Sequence, residues 1–322
     1  MNKDPLFDEW HPILDSEDIP EGQLRSASLL GHDLVLWRGE KGVHAWPDLC
    51  LHRGARLSIG KVQGNCLCCP YHGWVYSEEG RCVKIPAHPR VIPPSRAHIT
   101  PFLSIENYGV VWVSLGTPQG DPFYFPEWKN LSVGKTRTGP YRLNASAPRV
   151  LENFLDLAHL PIVHEGILGD LRQADIPDYH VQKMPGGGWL ATDIRLWQPD
   201  PDGSGQPQIV SYTYEIIRPL VARFQKTGNG KKYGIYAAVQ PINPRESVLW
   251  MWNFWYPQDN VTPEGIRIHQ ERIVAQDRLV VESQRPELLP LDLAAELHLP
   301  SDRLSIVYRR WLRELGVSFG TS

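Results

Sequence analysis

Cys50-Leu-His52-Arg-Gly54-Ala and, with sixteen residues between His52 and Cys69, Cys69-Pro70-Tyr-His72-Gly73-Trp are the stretches on which the reading of this chain turns. Together they form a C-x-H-x16-C-x2-H pattern, two thiols and two imidazoles carried by a pair of short loops. Gly54, Pro70 and Gly73 punctuate those loops, and loops of that kind can aim backbone N–H groups at a sulfur. Around them the sequence reads as short strands at 33–38, 43–46, 73–76, 81–85 and 109–115, rich in Val, Ile and Trp. Turn residues such as Glu40-Lys-Gly and Ser77-Glu-Glu-Gly separate them. A small all-β domain with a metal-binding end is the expectation.

Gly116-Thr-Pro-Gln-Gly-Asp-Pro-Phe-Tyr-Phe-Pro reads as a connection, dividing the chain into domains 1–118 and 119–322. In the second part Ser146 can cap a helix that tolerates Pro148 and continues through His159 until Pro161 ends it. Strands are expected at 189–197, 209–217, 233–240 and 248–256, with turns at Pro199-Asp-Pro-Asp-Gly-Ser-Gly and Pro241-Ile-Asn-Pro-Arg. Thr262 and Pro263 open a helix running to about Gln284. Ser301 caps a last one with Leu304, Val307, Trp311 and Leu315 on one stripe. The fold class is therefore α+β, an N-terminal all-β domain followed by an antiparallel β-sheet flanked by helices.

Composition narrows the partners. The 322 residues are 42% hydrophobic and 21% charged, and 33 Lys and Arg against 36 Asp and Glu leave a formal charge of −3 with no basic run, so nucleic acid is not expected. No stretch approaches the roughly 18 consecutive apolar residues of a membrane span, and the N-terminus lacks an apolar signal core; a cytoplasmic protein is expected. Five cysteines, four of them between Cys50 and Cys69, suit metal binding better than a disulfide framework.

Two metal readings compete for the Cys50, His52, Cys69 and His72 set. A Cys2His2 set can hold structural zinc, but a C-x-H first pair is unusual for a zinc finger. Two thiolates on one iron and two imidazoles on the other are the ligands of a Rieske [2Fe–2S] cluster, whose potential lies far above that of an all-cysteine cluster. Cys66, Cys68 and Cys82 then remain as strand residues with packing roles.

With their loop residues, the two stretches resemble the cluster domain of the Rieske non-haem iron oxygenases, the terminal components of oxygen-activating systems. The resemblance extends over nearly the whole chain, and it implies that the electron acceptor lies in the same polypeptide, at a mononuclear iron in the second domain. Asn153-Phe-Leu-Asp156-Leu-Ala-His159-Leu-Pro161-Ile-Val-His164 is similar to the family's iron motif. On a continuous helix His159 and His164 would point about 140° apart, so Pro161 is expected to break the helix and let His164 swing back. Two histidines and a carboxylate make the facial triad of Fe(II) oxygenases. Among Glu264, Glu271, Asp277 and Glu282, Asp277 is the acid on the stripe shared with Ile273, Val274, Val280, Val281 and Gln284. A hydrogen-bonded histidine pair and a buried salt bridge to an arginine are the plainer readings.

Asp156 stands three residues before His159 and can orient its imidazole. The resemblance adds that it meets the second cluster histidine, His72, of a neighbouring subunit in a homotrimer. Asn153 is either an outer neighbour of this site or a helix-surface amide. Thr227-Gly-Asn-Gly reads as a hairpin turn rather than a phosphate loop, and Asn253 as a hydrogen-bonded core amide.

The family further implies one [2Fe–2S] cluster and one mononuclear Fe(II) per subunit, with O2 as co-substrate. Electrons from NAD(P)H arrive through a separate ferredoxin or flavin reductase, because the chain has no G-x-G-x-x-G strand-to-helix unit. The expected reaction is hydroxylation of a small aromatic or polycyclic substrate, including O- or N-demethylation. Cis-dihydroxylation is the alternative, and a Rieske electron-transfer protein, needing only the first domain, is the alternative from another class. No substrate-binding residue is singled out by the sequence.

Overall fold

The computed structural model describes residues 4–201, 206–256 and 261–322, so the turn expected at Pro199-Asp-Pro-Asp-Gly-Ser-Gly lies partly outside the described residues. The chain forms two compact units, Phe7–Pro122 and Phe123–Ser322, the second joined by the N-terminal residues up to Leu6. The boundary falls a few residues after the one read from the Pro/Gly run, for a packing reason. Phe123 stacks on Tyr236 at 4.8 Å between ring centroids, and Phe125 lies 4.3 Å from the same ring, committing this end of the connection to the second unit. Asp4 belongs there too, its Oδ2 accepting the N–H groups of Ser318 and Phe319, each at 2.7 Å.

The first unit holds ten strands: β1 (His11–Asp15), β2 (Leu24–Leu29), β3 (His32–Gly39), β4 (Gly42–Pro47), β5 (Lys61–Gln63), β6 (Cys66–Cys68), β7 (Val75–Ser77), β8 (Cys82–Lys84), β9 (Leu103–Asn107) and β10 (Val110–Ser114). They form three antiparallel sheets in the orders β1-β10-β9, β2-β3-β4 and β5-β6-β7-β8. Trp37, Trp46, Leu57, Leu67 and Tyr76 fill their shared core completely, and Cys50 and Cys69 belong to that core. Leu49 and Leu51, on either side of Cys50, are about half exposed.

In the second unit seven strands make one antiparallel sheet: β11 (Gly134–Leu143), β12 (His180–Lys183), β13 (Trp189–Gln198), β14 (Gln208–Arg218), β15 (Val221–Gly228), β16 (Lys231–Asn243) and β17 (Glu246–Trp255), ordered β11-β17-β16-β15-β14-β13-β12. The edge strand β11 was not legible in the sequence because Pro140 interrupts it; the ladder skips at that point, between Thr138 and Tyr141, and an edge tolerates the missing donor. The central strands β16 and β17 are buried on both faces. Tyr236, Trp252 and Phe254 meet Phe123 and Phe125 on one face, while Tyr233, Ile235, Leu249 and Met251 line a cavity on the other.

Among the described residues five helices complete the unit: α1 (Pro126–Lys129), α2 (Ala147–Leu155), α3 (Leu160–Val163), α4 (Pro263–Val281) and α5 (Arg303–Leu315). Ser146 caps α2 by accepting the Arg149 N–H, and Thr262 caps α4 by accepting the Gly265 N–H, as the sequence indicated. Ser301 does not cap α5; it sits in a preceding 3-10 turn, Pro300–Asp302. Helix α2 packs on β16 and β17, and α4 on β11. A buried ion cluster ties α2 to α5: Arg309 forks onto Glu152 with bonds of 2.5 and 2.7 Å, and Glu296 bridges Arg149 and Arg309. Among the described residues no helix is long and apolar enough to cross a membrane.

Candidate metal centres

Two loops of one design hold the Cys and His pairs of the first unit. In each, the cysteine carbonyl accepts the N–H of the glycine four residues on, Gly54 at 2.9 Å and Gly73 at 3.2 Å. The cysteine N–H then donates to the carbonyl of the next residue, Ala55 or Trp74, at 2.8 Å. Both glycines have φ of +69°, a left-handed conformation that few other residues adopt without strain. Trp74 stacks on His52 with the planes 6° apart, fixing that ring.

The result is two pairs rather than one tetrahedron. Nδ1 of His52 and Nδ1 of His72 stand 3.2 Å apart at the protein surface. The thiols of Cys50 and Cys69 are buried side by side behind them, with the N–H groups of Tyr71 and His72 directed at the Cys69 sulfur. Tyr76 adds a hydroxyl 3.3 Å from the Cys50 sulfur. Burial raises the Cys69 thiol pKa, and only those two N–H groups oppose it. No three of these four residues bring donor atoms within 4.8 Å of one another, as a single tetrahedral zinc requires; among the described residues one other group does so. An inner sulfur pair and an outer nitrogen pair fit the two irons of a Rieske cluster.

That other group is His159, His164 and Asp277. The local chain differs from the continuous helix expected up to Pro161. Helix α2 stops at Leu155; Asp156 turns extended (φ −75°, ψ 134°) and its own side chain accepts the Ala158 N–H at 2.9 Å. Pro161 starts the one-turn helix α3 instead of ending α2. The break lies before His159, so the two imidazoles leave opposite ends of the short helix α3 and converge, their centroids 5.1 Å apart. Asp277 arrives from the face of α4 that carries Gln270, Ile273 and Val274, all buried; Val280, assigned to that stripe from the sequence, is 41% exposed.

Nε2 of His164 lies 3.0 Å, and Nε2 of His159 3.5 Å, from Oδ1 of Asp277. Each imidazole turns its other nitrogen to an acceptor: Nδ1 of His159 is 3.3 Å from Oδ2 of Asp156, and Nδ1 of His164 is 2.9 Å from Oε1 of Gln276. An Nδ1–H donated to Gln276 would leave Nε2 of His164 free for a metal, while Nδ1 of His159 lies close to Asp156 without a hydrogen bond of normal geometry. Oδ1 of Asp277 is buried without a hydrogen-bond partner. Such an oxygen is costly in a buried site without a cation beside it. Metal bonds of about 2.1 Å set adjacent octahedral donors about 3 Å apart, and the observed separations fit. Burial opposes charge on both partners of the Asp156–His159 pair; their mutual attraction outweighs it, raising His159 and lowering Asp156 from their ordinary values.

An inner cavity of about 90 Å³ adjoins the three residues, walled by Phe154, Tyr214, Phe224 and Met251. It shares Leu168, Lys226, Tyr233 and His269 with an outer hollow of about 610 Å³. His269 is held neutral, its pKa pushed down to about 4 by burial, with Lys226, His164 and Arg272 adding to the effect. Asn153 also lines the inner cavity, whereas Asn253 is a core amide bonded to Tyr233 and Thr138. Sequence reasoning missed Gln276 and His269. Gln276 became recognisable only once the turn of α4 set it against His164.

A [2Fe–2S] domain followed by a sheet-and-helix unit with a two-histidine, one-carboxylate cavity defines the Rieske non-haem iron oxygenases. The chain belongs to that family. Residues 9–103 match the Rieske [2Fe-2S] domain, and 143–317 match the vanillate O-demethylase oxygenase C-terminal domain. It is 29% identical over 322 residues to methylxanthine N1-demethylase NdmA of Pseudomonas putida, covering 95% of this chain and 88% of that protein. A probable methylxanthine N7-demethylase, NdmC, of Pseudomonas sp. (strain TJI-51) is 34% identical over 224 residues, 67% of this chain and 78% of its own. The solved structure of Pseudomonas putida CBB5 NdmA with caffeine superposes with a TM-score of 0.83 at 27% identity, covering 96% of this chain and 90% of that one. The protein is a Rieske-type oxygenase component, an oxidoreductase.

Proposed function

We propose that this oxygenase hydroxylates a methyl group on a small aromatic or heteroaromatic substrate and so removes it as formaldehyde. Cys50, His52, Cys69 and His72 hold the cluster, and His159, His164 and Asp277 hold one Fe(II). The observation that carries the reading is Oδ1 of Asp277, buried without a hydrogen-bond partner near two Nε2 atoms at the wall of an aromatic cavity. The bound iron would supply O2 activation with electrons relayed from the cluster.

The chain's own groups do the rest. Asp156, 3.3 Å from Nδ1 of His159, orients that ring. Phe154, Tyr214 and Phe224 give a flat planar substrate walls to stack on and exclude water, and neutral His269 offers a hydrogen bond at the inner end of the outer hollow. Converting a methyl group to formaldehyde consumes one O2, two electrons and two protons, and the second oxygen atom leaves as water. The names of the methylxanthine demethylase relatives support an N-methyl substrate.

Electrons reach the cluster from NAD(P)H through a separate ferredoxin or flavin reductase. The exposed His72 supports transfer from this end of the cluster to Asp156 of a neighbouring subunit in a homotrimer working in the cytoplasm. The test is an iron count with product analysis. Purified protein should carry close to three irons per chain and, with a reductase and a panel of N-methyl and O-methyl aromatics, release one formaldehyde per O2 consumed. Two irons per chain, or a cis-diol in place of formaldehyde, would overturn the demethylase reading.

A further inference from the structure

The two imidazoles of the iron site are held by chemically different partners. Nδ1 of His159 faces a carboxylate, Asp156, at 3.3 Å; Nδ1 of His164 donates to an amide oxygen, Gln276, at 2.9 Å. Gln276 immediately precedes Asp277 on α4, so a single turn of helix delivers both one ligand and the orienting acceptor of another. His164 is almost fully buried, at 1% exposure, and its imidazole lies between two side chains, Gln276 at Nδ1 and Asp277 at 3.0 Å from Nε2.

Charge gives the asymmetry a meaning. A divalent iron would contribute +2, Asp277 and Asp156 each −1, and Gln276 nothing, so these four sum to zero, with Lys226 on the wall of the same cavity. A carboxylate at position 276 would leave that sum at −1. An amide acceptor also makes its imidazole a weaker donor than a carboxylate does.

We propose that Gln276 is the positioning residue of His164: it fixes the Nδ1–H tautomer, so that Nε2 faces the iron, and it does so without adding charge to the buried centre. This rests on the reading of His159, His164 and Asp277 as Fe(II) ligands. The two histidines are therefore inequivalent in the partner each turns to, a carboxylate for His159 and an amide for His164.

The experiment uses the full chain with its cluster intact, stripped of the mononuclear metal and titrated without oxygen with Fe(II), and in parallel with Co(II). Wild type should take up one ion, and the Co(II) form should show two slowly exchanging, paramagnetically shifted imidazole N–H signals. Gln276→Leu should bind about 10- to 100-fold more weakly and lose one of those signals to rapid exchange with D2O. Gln276→Glu, which restores an acceptor of nearly the same shape, should recover the slow signal and bind at least as tightly as wild type. The cluster's visible spectrum and the melting temperature of the metal-free protein should stay unchanged; if Gln276→Leu does not fold, the Glu variant's affinity and N–H signal decide alone.

Wild-type affinity and two slow signals in Gln276→Leu would overturn the proposal while leaving the iron reading intact. Weak binding by Gln276→Glu would overturn it as well, since the position would then serve only through shape. Failure of wild type to bind a metal ion would overturn both.

Discussion

Oδ1 of Asp277 lies 3.0 Å from Nε2 of His164, while Nδ1 of the same ring lies 2.9 Å from Oε1 of Gln276. In a folded protein a buried carboxylate oxygen ordinarily finds a donor, and this one has none. A cation among the three side chains would give that oxygen the partner it lacks.

Replacing that carboxylate tests this directly. Asp277→Ala should lose the mononuclear metal, taking the iron count from close to three to close to two per chain, with the cluster's visible absorption intact. Without metal the variant should be at least as stable as wild type, since a buried carboxylate oxygen without a hydrogen-bond partner is removed; urea unfolding of both stripped proteins measures it. Marked destabilisation would show that Asp277 is paired in the stripped protein.

Asp156→Asn separates metal binding from electron delivery. The amide oxygen can still accept the Ala158 N–H that shapes the turn, so both centres should stay filled. Coupled turnover should fall by two orders of magnitude or more, read as formaldehyde formed per electron supplied. Normal turnover would defeat the bridging role of Asp156.

Acid stability should carry the signature of His269. Its folded pKa of about 4 lies below the ordinary imidazole value of about 6.5, so between those values the unfolded chain binds more protons than the folded one. Stability accordingly falls as pH drops through that window and levels off below it. Allowing for partial solvent access, the loss is about 1–2 kcal/mol. His269→Gln should flatten this limb of a urea-unfolding series between pH 7 and pH 4; an unchanged slope would place the neutral imidazole elsewhere.

The ion cluster behind α2 should matter to the site it supports. Glu152→Gln leaves the buried Arg309 guanidinium with part of its charge unmatched and should cost about 3 kcal/mol in urea unfolding. An unchanged midpoint would mean that Glu296 alone satisfies Arg309.

The residues of the candidate centres stood out in the sequence where chemistry constrains type and spacing together: Cys50, His52, Cys69 and His72 read as a set because their loops are short and glycine-terminated. Asp277 was legible from helix periodicity, since an acid on an apolar stripe needs a reason. The break in α2 was misplaced, because proline is the conspicuous breaker in sequence while Asp156 ends the helix through a side-chain hydrogen bond that leaves no compositional trace. Strand β11 was missed for the opposite reason: Pro140 argues against a strand, and only its edge position and the skipped register make it tolerable. Gln276 and His269 were invisible because glutamine and histidine on a helix face are ordinary until a specific neighbour is known.

Asp156 ends a helix with one carboxylate oxygen and addresses an imidazole with the other. The centre is therefore not portable as three ligands. A designer who copied His159, His164 and Asp277 onto an unbroken helix of another scaffold would leave the two rings about 140° apart. The smallest transferable part is the interrupted segment 153–164 together with the Gln276-Asp277 pair, and a graft would have to carry the interruption as faithfully as the ligands.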